Sequence, residues 1–189
     1  MADTLIEIWR DQPTFVEAKS FRQIIQLAGD GRLLDGSSSS KELRDWLSAI
    51  SLDRLQFCIE ECLSNSFADA AVALQDATNE LGARLGFKVT PGRYRGVKGD
   101  VGNDGLWRAE DGHVLLVEVK TTDTYRINLD TITGYRDSLI ENQSINLDQC
   151  SILIAVGRQD TGDLEAQIRG SRHAGDIRLI SLDALIRLA

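Results

Sequence analysis

Hydrophobic and polar positions change their period several times along the chain, and each change marks an element. Over residues 67–85, apolar side chains at Ala71, Leu74, Ala77, Leu81 and Leu85 recur at the spacing of one helical face, and Gly86 can close that helix. Phe87-Lys88-Val89 then reads as a short strand. A hairpin is predicted next: 106–109 rises, Glu110-Asp111-Gly112 turns, and 113–117 descends, with Gly112 suited to the left-handed third position of a three-residue loop. The run from Val114 to Val119 is almost continuously apolar, which implies a strand covered on both faces. Residues 127–140 offer a helix with Ile132, Tyr135 and Leu139 on one side. A buried strand at 151–156, a helix at 163–168, a strand at 177–180 and a helix capped by Ser181 follow. The pattern predicts an α/β fold in which a helix, three strands, a helix and a strand follow one another.

The first sixty-odd residues have another character. The spacing predicts a helix over 15–28, a loop over 29–40 ending in a serine run, and a capping box from Ser39 to Glu42. An apolar face of Leu43, Trp46, Leu47 and Ile50 follows, then Leu52, Leu55, Phe57, Ile59 and Leu63. Eleven acids against seven bases up to Ser66 make this region acidic, so packing on the core or a dimer contact suits it better than a phosphate backbone. The expected division is a helical N-terminal subdomain, 1–66, and an α/β domain, 67–189. The last residues, 182–189, keep a helical pattern with no capping glycine. That suggests a domain of a longer multidomain protein, or a docked terminal helix.

Charged residues enter the apolar run at one point. Side chains alternate along a strand, so Glu118 and Lys120 share a face and Val117 and Val119 take the other. If Ala109 faces His113, stepping outward along the ladder sets Asp104 directly across from Glu118, about 4.5–5.5 Å away between Cβ atoms. Two carboxylates at that spacing suit a hard divalent cation with oxygen ligands, magnesium best, with manganese as its substitute. A lysine beside it can orient or deprotonate a water, or offset charge growing on a phosphate oxygen. Phosphodiester hydrolysis is the chemistry such a trio suits. A surface hairpin with Glu and Lys on its solvated face has the same spacing, and the near-continuous apolar run weighs against it.

Asn103-Asp104, then Glu118-Val119-Lys120, with a preceding helix that carries Glu80 and a following helix and apolar strand, resembles the PD-(D/E)XK nuclease superfamily, which implies an α/β, restriction-endonuclease-like core of helix, three-stranded antiparallel meander, helix and strand. The resemblance covers residues 67–189. It implies that Asp104 and Glu118 bind the metal, with the carbonyl of Val119 as a further ligand, and that Lys120 serves the water. Glu80 stands where some members place an extra acid on the first core helix. Asn103 occupies the position where the family name has proline, a departure from the pattern.

Hydrophobic content of 42% and charged content of 26% are those of a globular chain with one sizeable core. No apolar stretch approaches ~18 residues and the start is polar, so neither a membrane span nor a signal peptide is expected, and a cytoplasmic location is. Cys58, Cys62 and Cys150 form no C-x-x-C motif and are read as reduced core thiols. Two histidines argue against a histidine-metal nuclease, and no P-loop or G-x-S-x-G pattern occurs.

A net charge of -8 is awkward for a nucleic-acid enzyme, but its distribution matters more than its sum. From Arg84 to Lys98 the chain holds Arg84, Lys88, Arg93, Arg95 and Lys98 with no acid, and Gly92, Gly96, Gly99 and Gly102 mark a mobile or close-approach loop leading into Asp104. Such a loop can track a phosphate backbone, or be an ordinary solvated loop. Arg169, Arg172, His173 and Arg178 form a second basic group that can hold phosphate or pair with acids such as Asp163 and Asp176. Arg126 and Tyr135 are candidates to frame the site, Tyr135 also being on the apolar stripe. The reading that follows is a magnesium-dependent endonuclease acting on DNA, of the restriction or phage-defence kind, as a homodimer or part of a larger protein. Its alternatives are a non-catalytic nucleic-acid-binding module with the same fold, and a nuclease for branched DNA or RNA.

Overall fold

The computed structural model describes residues 3–95, 102–121, 126–142, 145–157 and 159–189. Among these, nine α-helices and five strands make an α/β architecture with one mixed sheet. The chain divides into two compact units, Met1–Glu80 and Leu81–Ala189. The division falls within a helix, later than the 66/67 boundary expected from composition.

The first unit holds α1 (Leu5–Asp11), α2 (Pro13–Glu17), α3 (Phe21–Leu27), α4 (Ser38–Ala49), α5 (Leu52–Ser64) and most of α6 (Ala70–Arg84). The helix expected over 15–28 is two helices. Ser20 caps α3 in a box with Gln23, which satisfies amides that an unbroken helix would bond to carbonyls one turn back. The box expected at Ser39 and Glu42 does not form. Ser37 caps α4 instead, the Ser39 hydroxyl donates to Asp30 at 2.7 Å, and the Glu42 carboxylate accepts from the Leu5 amide at 2.9 Å. Glu42 is thus spent on joining α1 to α4. Leu5, Phe21, Ile24, Leu43, Trp46, Leu47, Leu55 and Ile59 form the buried interior, with Phe21 stacked on Trp46. Phe57, expected among them, faces outward beneath the Arg54 guanidinium.

The second unit is built on the sheet. In chain order it has β1 (Lys88–Pro91), β2 (Gly105–Arg108), β3 (Val114–Lys120), α7 (Leu129–Glu141), a 3-10 turn at Leu147–Gln149, β4 (Cys150–Val156), α8 (Gly162–Arg169), β5 (Ile177–Ser181) and α9 (Leu182–Leu188). The spatial order of strands is their order in the chain. β1, β2 and β3 run antiparallel, and β3, β4 and β5 run parallel. Parallel neighbours need a crossover, which α7 and α8 supply. Gly112 has φ +89°, and the Ala109 amide donates to the His113 carbonyl at 2.8 Å, so the three-residue turn closes as its sequence predicts.

One sheet face carries Leu116, Ile152, Ile154, Val156 and Ile177, packed with Ile127, Leu129 and Ile132 around α7 and with Leu164 and Ile168 of α8. On the other face Trp107 is fully buried, its ring against Phe87 and the backbone of Gly82. All three cysteines are free and buried, as expected. Among the described residues no helix is long and apolar enough to cross a membrane.

Candidate active site

The register of β2 with β3 runs from Arg108↔Val114 to Gly105↔Val117 and stops there. Asp104 was expected to continue it opposite Glu118; instead its amide donates to the Val117 carbonyl at 3.0 Å, a bulge-like departure. The Asp104 side chain then takes over the ladder's work: its Oδ2 accepts the Val119 amide at 2.6 Å. Across from it, Lys120 Nζ lies 2.5 Å from Glu118 Oε1. Residues two apart on a strand share a face, here the α7 face, since Leu116 packs there. The ladder to β4 continues to Lys120↔Val156, and the Gly157 amide donates to the Lys120 carbonyl, so the strand end is held.

Burial is graded across the trio. The Glu118 side chain is 12% exposed and that of Lys120 31%, so the acids are shielded while the ammonium meets solvent. Burial pushes the Asp104 carboxyl up to about 7, and the charge of Glu118 pushes the same way, while the Val119 amide and the Lys120 ammonium pull against them. Asp104, Glu118 and Lys120 therefore interact as one group. The donor set of two shielded carboxylates is the kind a hard cation takes, since magnesium usually keeps several waters and needs only one or two protein carboxylates. Among the described residues no three His, Cys, Asp or Glu side chains gather as a metal group, so a site here would be of that sparse type.

Glycines at the two described ends of the preceding segment, Gly92 and Gly102, lie close to this site. The Gly92 amide donates to the Asp104 carbonyl at 3.0 Å, and a Cβ at Gly92 would stand 1.8 Å from the Asn103 carbonyl oxygen. Gly102 borders the hydroxyl end of Tyr135, where a Cβ would lie 3.2 Å from the ring. Tyr135 is thus both on the apolar stripe of α7 and beside the approach to Asp104. Sequence composition marks Gly92 as a close-approach position without showing what it approaches.

The other expected residues are placed as follows. Val119, expected through its carbonyl, is seen giving its amide to Asp104. Glu80 is half-buried on α6 and belongs to the first unit. Arg93 and Arg95 are exposed directly after Gly92, and Lys98 lies outside the described residues. Arg169 is exposed, 3.8 Å from Glu165 one turn back. Arg172 pairs with Asp130 at 2.9 Å, not with Asp163 or Asp176. Asp176 instead meets Arg136, a buried arginine of α7 that also reaches Asp137. Pairing of Arg172 with an acid 42 residues away has no periodic signature in the sequence. In comparisons with known proteins, no family model and no curated protein matches the chain.

Proposed function

We propose that the protein is a metal-dependent nuclease of the PD-(D/E)XK kind that hydrolyses phosphodiester bonds in DNA. The observation that carries this reading is the convergence of Asp104, Glu118 and Lys120 at the end of β3. The element order from α6 through β1, β2, β3 and α7 to β4 supports a restriction-endonuclease-like core.

In this reading Asp104 and Glu118, with the Val119 carbonyl, hold magnesium, or manganese in its place. When bound, the ion supplies Lewis-acid polarisation of the phosphate and acidifies a water. Glu118 fixes the Lys120 ammonium through their short contact, so that it faces the reacting phosphate and offsets charge growing on its oxygens. The Val119 amide fixes one oxygen of Asp104, which orients the carboxylate before any ligand arrives. Arg93 and Arg95 stand on the loop that Gly92 presses against the Asp104 backbone, where they can meet the flanking phosphates. Cutting both strands requires two such centres, which a homodimer provides.

Supercoiled plasmid, linear duplex, methylated DNA, a four-way junction and RNA, each offered with magnesium or manganese, test the activity and its substrate. Scission of DNA that Lys120→Ala lowers by about 10²-fold or more, with folding intact, is expected. Equal cutting by that variant rejects the assignment. Binding without scission under either metal identifies a module that keeps the fold without turnover.

A further inference from the structure

A cavity of about 550 Å³ lies between the start of α7 and residues 170–173, which follow α8. Into it Asp130 presents a single oxygen, Oδ1, at 2.9 Å from Arg172 Nη2 and 2.8 Å from His173 Nε2. Arg172 Nε lies 3.2 Å from the same ring nitrogen. One imidazole nitrogen cannot donate to Asp130 and accept from Arg172 at once, so one of these bonds is always unmade. The His173 ring is shielded, 13% exposed, but the Arg172–Asp130 pair is open, Arg172 being 78% exposed and Asp130 71%, and ion pairs so exposed hold weakly. Both donors hold Asp130 below the usual carboxylate range, His173 first and Arg172 next. A guanidinium and an imidazole aimed at one weakly held oxyanion oxygen, at the positive end of a thirteen-residue helix, form the donor set that a phosphate fills better than a carboxylate. Phosphate carries more charge and offers further acceptors to the Arg172 fork.

We propose that Arg172 and His173 form a phosphate-binding site that Asp130 occupies in the free protein, so that a substrate phosphate must displace this internal carboxylate. The source of the phosphate, a polynucleotide backbone, rests on the nuclease reading; the site itself does not. Two titrations without divalent metal separate them: inorganic phosphate followed through the His173 ring signals, and a short duplex followed by anisotropy. Asp130→Asn tightens both by about fivefold, and the gain disappears in the Asp130→Asn, Arg172→Gln double variant. No gain in either titration overturns the proposal. So does an equal gain in the double variant, which would be a general effect of removing an acid. A gain for inorganic phosphate with no duplex binding by any variant supports the site and removes a duplex backbone as the source of its phosphate.

Discussion

Asp104 concentrates the physical tension of the site in one residue. Its carboxyl is pushed up to about 7 by burial first and by Glu118 next. Unfolded, the same group releases its proton at the ordinary carboxylate value of about 4. Between these values the folded state holds the extra proton, so the stability linked to Asp104 falls as pH rises from about 4 to about 7. Thermal unfolding across that range, without metal, shows this slope, and Asp104→Asn flattens it; an unchanged slope in the variant contradicts the assignment. Gly92 gives a second test, because a Cβ 1.8 Å from the Asn103 oxygen forces the backbone beside Asp104 to move. Gly92→Ala is expected to lower cleavage by about 10²-fold, the effect of a misplacement near 1 Å. Activity that survives with an unchanged melting temperature goes against it. The shared face of Glu118 and Lys120 is legible in the sequence because side chains alternate along a strand, whereas the expected cross-strand pair of Asp104 with Glu118 gives way to a bulge. The partners of Asp104 are less so: a carboxylate capping the Val119 amide replaces the regular ladder, and no spacing announces that exchange.

At the scale of elements, β3 and β4 follow their apolar runs closely, and β2 and β3 are joined as the turn residues require. Helix boundaries in the first unit follow capping chemistry instead. Ser20 with Gln23 interrupts an apolar period that otherwise spans α2 and α3, and Ser37 rather than Ser39 opens α4. Several serines compete for the cap of α4, and tertiary partners such as Asp30 and Leu5 decide among them. Packing of the last turn of α6, from Leu81, on β2 depends on a missing side chain: a Cβ at Gly82 would stand 2.5 Å from the Trp107 ring. Trp107 is fully buried and cannot swing away. Gly82→Ala therefore destabilises by about 1–3 kcal/mol through overpacking, read as a lower denaturant midpoint. An unchanged midpoint contradicts this account of how helix and sheet meet.

For the whole molecule, charge distribution outweighs charge sum. The chain carries -8 overall, yet the stretch that reaches Asp104 is basic, with Arg93 and Arg95 exposed on it. Replacing both by Gln is expected to weaken duplex binding and to reduce its salt slope by about two. Binding with the same slope places the phosphate contacts elsewhere. The α/β character follows from alternating strand and helix periods, whereas the limits of the compact units do not, because α6 is one continuous helix through the point where they divide.

Calorimetric titration of manganese into the protein and into its Asp104→Asn and Glu118→Gln variants tests the shared site most directly. Binding that either substitution abolishes, and that strengthens as pH rises through about 7 while Asp104 loses its proton, is the predicted result. Equal affinity in all three proteins contradicts the account.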